Sequence, residues 1–147
     1  MNPLANDPEA RFVIVDASVW VSRVVPVDVF HQPVKTWLEE QRSKGAVFLS
    51  PALLLAEVAG AISRRTGQPE LAKQAIASLI RLPELRLVEM EQTLVQEAAQ
   101  LAAELGLRGA DSFYVAVAAR LNLPLATLDE DQKNRAASRI NLKLFDE

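Results

Sequence analysis

The sequence predicts an α/β fold, a three-layer sandwich with a central, mainly parallel five-stranded sheet flanked by helices. Three observations carry that expectation. Short runs rich in Val, Ile, Leu and Phe alternate with longer stretches of helical spacing, and a parallel crossover needs a helix to cover the sheet face. A chain of 147 residues is long enough for one core and one domain. Hydrophobic residues at 50% and charged residues at 24% describe a folded chain rather than a disordered one.

Taken in order, residues 1–10 read as a flexible lead-in, with no basic start and no apolar stretch of signal-peptide length. Residues 11–147 form the domain. A first strand is expected at 12–15, a helix at 18–25, a further helical pattern at 32–44 and a second strand at 46–49. Ser50 followed by Pro51 reads as an N-cap and first helical position. It would open a helix that runs through Glu57 to about Arg65, where Thr66-Gly67-Gln68-Pro69 breaks it. A second helix, 70–81, returns antiparallel. A strand at 85–88 precedes a helix at 92–105, whose stripe Val95, Ala98, Ala99, Ala102 and Leu105 is expected to face the core. Asp111 opens another helix, a strand follows at 125–128, a helix at 130–137, and a last strand at 143–145.

No apolar run reaches the roughly 18 residues that a bilayer span requires, so no membrane role is expected. With no Cys there is neither disulfide nor zinc-thiolate site, which suits a cytoplasmic protein. The formal charge of −3 argues at first against a polyanionic partner.

Four acids then stand out because each abuts an apolar run. Asp16 closes Phe12-Val13-Ile14-Val15, and Glu57 lies between Leu53-Leu54-Leu55-Ala56 and Val58-Ala59. Asp111 opens Ser112-Phe113-Tyr114-Val115-Ala116-Val117, and Asp129 ends Pro124-Leu125-Ala126-Thr127-Leu128. A carboxylate desolvated alone takes up a proton or finds a cation. Oxygen donors without Cys, and with a single His, suit a hard ion such as Mg²⁺ or Mn²⁺. With these four set aside, the other acids nearly balance the 16 Lys and Arg, and a bound ion would make the site attractive to phosphate.

Each acid also has a bland reading. Asp16 and Asp129 follow strands, where open α/β sheets place ligands, yet either alone could simply cap the next helix. Asp111 could be a first-turn acid favoured by the helix dipole. Glu57 is harder to dismiss, since as a mid-helix residue it would share a face with Leu53, Leu54, Gly60 and Ala61. Ser18 and Thr127, flanking Asp16 and Asp129, could orient a carboxylate or water, or merely serve the helix start and the strand. Asp131 reads as an outward, solvated acid. Arg64 and Arg65 suit a helix C-terminus and offer phosphate contacts. His31 lacks a chemical partner for a general-base role, and Trp20 and Trp37 read as packing.

The runs Val15-Asp16-Ala17-Ser18-Val19, Leu55-Ala56-Glu57-Val58, Arg108-Gly109-Ala110-Asp111-Ser112-Phe113-Tyr114-Val115-Ala116-Val117-Ala118 and Ala126-Thr127-Leu128-Asp129 resemble, in order and spacing, the signatures of PIN-domain ribonucleases. The likeness covers nearly the whole chain and is greatest to the short stand-alone VapC toxins. It implies a pocket of Asp16, Glu57, Asp111 and Asp129 that binds Mg²⁺ or Mn²⁺, with Ser18 and Thr127 as accompanying hydroxyls. It further implies metal-dependent hydrolysis of RNA, a homodimer and an inhibitory antitoxin. The low basicity departs from a typical toxin and bears on the substrate more than on the chemistry.

Asp16 and Asp111 are expected to be direct ligands, while Glu57 and Asp129 coordinate through water or position it. Arg108 would contact substrate phosphate, pair with a site carboxylate, or stay solvated. A DNA or structure-specific nuclease with the same pocket is the alternative enzyme, and a catalytically quiet interaction module is the alternative outside enzymology. A phospho-receiver fits poorly, because the strand at 85–88 ends in Glu89-Met90-Glu91. Leu71, Ala75, Ile76, Leu79 and Ile80 look like an apolar surplus that a dimer could bury, or else simply join the two helices.

Overall fold

Apolar runs become five strands that pair in parallel throughout: β1 Arg11–Val15, β2 Ala46–Pro51, β3 Leu85–Val88, β4 Leu125–Ala126 and β5 Leu142–Lys143. The computed structural model describes residues 11–143 and 145. The lead-in expected at 1–10 lies outside the described residues, as does Leu144 within the strand expected at 143–145.

The spatial order β3-β2-β1-β4-β5 puts β1 at the centre. Strands added in chain order run outward from β1 on one side as far as β3, and then resume on its other side with β4. The chain therefore reverses direction across the sheet between β1 and β4, and ligands of open α/β sheets bind at the carboxyl ends of such a pair. Register aligns Val15 with Ala126, so the residues that follow each strand, Asp16 and Thr127, emerge side by side.

Seven helices cover the sheet among the described residues: α1 Ala17–Val24, α2 His31–Ser43, α3 Leu54–Thr66, α4 Pro69–Arg81, α5 Gln92–Leu105, α6 Gly109–Leu121 and α7 Glu130–Ala136. Helix α6 is buried over Tyr114-Val115-Ala116-Val117-Ala118 and packs on β1, β2 and β4, with α5 outside it. Helix α2 packs on β2, α1 packs on α2 and α3, and α3 pairs with α4. Phe48 joins strand to helix in the core, edge-on to Trp20 with centroids 5.7 Å apart and tilted against Trp37 at 6.0 Å.

Four expectations need correction. Ser50 and Pro51 end β2, paired with Leu87 and Val88, instead of starting a helix. The Ser50 hydroxyl donates to the Val15 carbonyl across the sheet, and a proline without an N–H is tolerated at a strand end. Helix α3 consequently begins at Leu54, which places Glu57 in its first turn and not mid-helix. The fourth strand is two residues shorter than 125–128, because Thr127 Oγ1 accepts from the Asp129 N–H at 3.1 Å and turns the chain locally. On α5 the inward face is Leu94, Ala98, Leu101 and Leu105, while Val95 and Ala99 are exposed. The two stripes share Ala98 and Leu105 and are turned by less than the roughly 100° between neighbouring helical residues; packing on α6 selects between them.

Candidate functional site

Asp16 leaves β1 and caps α1, accepting from the Ser18 backbone N–H at 3.2 Å and the Ser18 hydroxyl at 2.6 Å. Thr127 Oγ1 lies 2.9 Å away. All three contacts converge on Oδ2. The side chain is only 4% exposed, and burial pushes its carboxyl above the ordinary range despite these donors, with the charge of Asp129 adding to the rise.

The other three acids reach the same place from three helices. Glu57 accepts from the Tyr114 phenol at 2.6 Å. Burial raises its carboxyl, the Tyr114 bond opposes the rise, and the charges of Asp16 and Asp111 reinforce it. Asp111, in the first turn of α6, is pushed up to about 6 by burial and then by Asp16 and Asp129, with Arg108 opposing. Asp129 caps α7 by accepting from the Gln132 N–H at 3.1 Å. Thr127 links Asp16 to the end of β4, Arg108 lies within 4.0 Å of both Asp111 and Asp129, and Glu57 and Asp129 line one groove, so the four acids lie in one neighbourhood of the fold.

They do not form a finished cage. Among the described residues no group of three or more acidic or histidine side chains is arranged to hold a metal ion. The cation near the acids is Arg108 on the rim, Nε 3.7 Å from Asp111 Oδ2 and Nη2 3.6 Å from Asp129 Oδ2. Its side chain is 71% exposed, so both contacts are screened and weak. Hard oxygen donors and buried charge opposed, among the described residues, by an exposed guanidinium at 3.6–3.7 Å nonetheless fit a divalent ion of the Mg²⁺ or Mn²⁺ kind.

Two participants were not visible along the chain as site residues. Tyr114 is fully buried, and its hydroxyl fixes Glu57; burial and the nearby charges of Asp16 and Glu57 raise the phenol so that it stays a donor. Gln132, also buried, bonds the Asp111 carbonyl through Nε2 at 3.2 Å and holds Oε1 3.1 Å from Thr127 Oγ1. It thereby links α7 to the start of α6. The Thr127 proton has Asp16, Gln132 and, at 3.3 Å, the Ser18 hydroxyl in reach, and serves one at a time. Polar residues amid apolar neighbours, Tyr114 on an otherwise Val/Ala helix and Gln132 beside Asp129, were the available signals.

Several other residues fall as expected. Asp131 faces outward and pairs with Arg135 at 2.8 Å. His31 Nδ1 lies 2.8 Å from the Ser22 carbonyl, which requires a protonated donor at that nitrogen and gives it a structural task. Of the presumed dimer surplus, Ala75 and Leu79 are buried within the chain and Ile80 is 62% exposed.

A groove of about 650 Å³ opens beside the acids, lined by Ser18, Glu57 and Asp129 at one end and by Arg64 and Arg65 at the other. Asp16 and Asp111 are not part of its lining, although their neighbours Ala17, Ser18 and Asp129 are.

A family model described as the PIN domain matches residues 13–138. Among solved structures, the chain is similar to Mycobacterium tuberculosis VapC20, described as a sarcin-ricin loop cleaving toxin: TM-score 0.72, 22% identity, covering 90% of this chain and 99% of that one. It is also similar to VapBC2 from Rickettsia felis bound to a DNA fragment from their promoter, with TM-score 0.69 and 16% identity over 92% and 99% of the two chains. A third likeness is to FitAcB from Neisseria gonorrhoeae, with TM-score 0.64 and 19% identity over 88% and 95%. At such identities the likeness is one of fold. No curated protein matches the chain.

Proposed function

The chain belongs to the PIN domain family, and on that premise we propose that it is a divalent-metal-dependent endoribonuclease, the toxin of a toxin–antitoxin pair acting in the cytoplasm. The observation that carries this reading is the convergence of Asp16, Glu57, Asp111 and Asp129 at the carboxyl ends of β1 and β4, with a raised carboxyl at Asp16, Glu57 and Asp111.

Asp16 and Asp111 are the proposed direct ligands of Mg²⁺ or Mn²⁺; Glu57 and Asp129 would coordinate through water or position the attacking one. Such an ion supplies Lewis-acid chemistry, making water nucleophilic near neutral pH and neutralising charge that builds on a phosphoryl oxygen. Ser18 and Thr127 hold Asp16 by one oxygen, which orients the other. Tyr114 fixes Glu57, whose raised carboxyl suits it to take a proton from the attacking water. Arg108, exposed and only weakly held by Asp111 and Asp129, would be available to substrate phosphate with an ion in the site.

Incubating total cellular RNA with the protein, with and without Mn²⁺, tests substrate, ion and site together. Cleavage that requires Mn²⁺ and is lost in Asp111→Asn is the expected result. Undiminished cleavage by Asp16→Asn or Asp111→Asn overturns the assignment, and equal digestion of matched DNA supports the alternative of a DNA or structure-specific nuclease. A catalytically quiet module is favoured by one feature, the Arg108 guanidinium bridging two of the acids; absence of Mn²⁺ binding at millimolar ion would support it.

An antitoxin partner and a homodimer are part of the same proposal. The solved VapBC2 structure, fold-similar to this chain, is of a complex on DNA, and the exposed Ile80 of α4 is an apolar point for self-association. A monomeric mass at micromolar concentration would remove the dimer.

A further inference from the structure

The two adjacent arginines at the basic end of the groove have different fates. Arg65 is committed, with Nη2 3.0 Å from Asp28 Oδ2. Arg64 is exposed and, among the described residues, has no carboxylate within 4.0 Å. Its guanidinium folds back along α3, and Nη1 lies 3.1 Å from where a Cβ on Gly60 would stand. Gly60 is not among the glycines with positive φ, so the backbone does not call for glycine there, and a helix interior disfavours it. What its missing side chain does provide is a bed for Arg64.

Positions 57, 60 and 64 share one face of α3, so the guanidinium points along the groove toward Glu57. Val29 and Phe30 line the same groove. Val29 is 81% exposed, yet the loop that presents it is tied down: Asp28 accepts from the Ser22 hydroxyl at 3.1 Å and the Phe30 N–H at 2.9 Å, besides its pairing with Arg65. A tied-down, exposed apolar surface and a cation with no carboxylate in reach thus line one groove of nucleotide size.

We propose that Arg64 is a substrate-positioning residue that grips a phosphate of the RNA strand flanking the cleaved linkage, while Val29 and Phe30 receive the adjoining base. This rests on the nuclease reading above. Gly60 keeps the guanidinium low over the groove floor, and Asp28 reserves Arg65 for holding the wall. One dedicated phosphate contact accommodates a chain whose net charge gives no general affinity for nucleic acid.

The test is fluorescence anisotropy with a labelled single-stranded RNA 12-mer of mixed sequence, in the Asp111→Asn background so that the probe stays intact, over a series of salt concentrations. Arg64→Gln is expected to weaken binding roughly ten-fold and to lower the slope of log K against log salt by about 0.7, the share of one phosphate on a single strand. Arg64→Lys should keep the slope, and the control Arg81→Gln, on an exposed residue of α4, should change neither quantity. With cleavable RNA, Arg64→Gln should raise KM and leave kcat nearly unchanged. An unchanged slope in Arg64→Gln overturns the proposal, even if affinity drops. If that happens while the wild type still cleaves RNA in Mn²⁺, the nuclease reading survives alone; if the wild type neither binds nor cleaves RNA, both fall.

Discussion

Asp16 and Asp28 are the same side chain at opposite ends of α1, and the fold treats them in opposite ways. Asp28 is given a cation as well as donors: burial works against its charge, but the Phe30 N–H, Arg65 and the Ser22 hydroxyl outweigh it and hold its carboxyl below the usual range. Asp16 is given hydroxyls and one N–H but, among the described residues, no cation, lies deeper, and is held above that range. Asp28 is thus satisfied within the chain and serves structure. Asp16 is left in electrostatic debt, which a protein tolerates at a place where an external partner settles it.

The largest expected effect separates the two in activity. Asp16→Asn should lower Mn²⁺-dependent RNA cleavage by about 10²–10³-fold, the range seen when a group stabilising transition-state charge is removed. Asp28→Asn should leave kcat within about ten-fold, since it acts on the groove wall and not on the reacting atoms. Gel assays of the two variants side by side would show it.

Stability should reverse the order. Asp28→Asn loses the partner of Arg65 and is expected to cost about 1–2 kcal/mol in urea titration of the metal-free protein. Asp16→Asn removes an uncompensated buried charge while keeping an acceptor for Ser18, and should be neutral or stabilising.

The pH dependence has opposite signs too. Asp111, like Asp16, is raised, and lies at about 6. Between roughly pH 4 and 6 the folded state holds more protons than the unfolded one, so the metal-free protein should gain stability as pH falls through that window. The contribution of Asp28 has the reverse sign: it is present above roughly pH 4 and lost as pH falls through its lowered value. Ion binding requires ionised carboxylates, so cleavage should decline as pH drops through about 6, even as metal-free stability rises.

Much of this was legible in the chain and some was not. The acids stood out jointly, because four carboxylates each beside an apolar run are harder to explain blandly than any one of them, and the alternation of strand and helix patterns indicated a parallel sheet without giving its strand order. Glu57 was read as a mid-helix acid because Ser50-Pro51 imitates a helix start. Pairing with Leu87 and Val88 overrides that local signal, and no local rule reports a long-range ladder. Tyr114 and Gln132 escaped for a related reason. Their partners lie 57 and 21 residues away, and a polar tip on a buried side chain declares its role only when the partner arrives.

Smaller effects sharpen the contrast. Tyr114→Phe deletes the phenol that fixes Glu57 and should lower kcat roughly ten-fold, with about 1 kcal/mol of stability lost on thermal unfolding. Gly60→Ala should stabilise α3 by about 0.5–1 kcal/mol, because the added Cβ meets only the movable end of Arg64, while modestly raising KM for RNA.

The most direct test of the central claim is calorimetric titration of the metal-free protein with Mn²⁺, in parallel with Asp16→Asn and Asp28→Asn. Binding by the wild type and by Asp28→Asn, with binding lost in Asp16→Asn, is the predicted result. No uptake by the wild type at millimolar Mn²⁺, or unchanged uptake by Asp16→Asn, would contradict it.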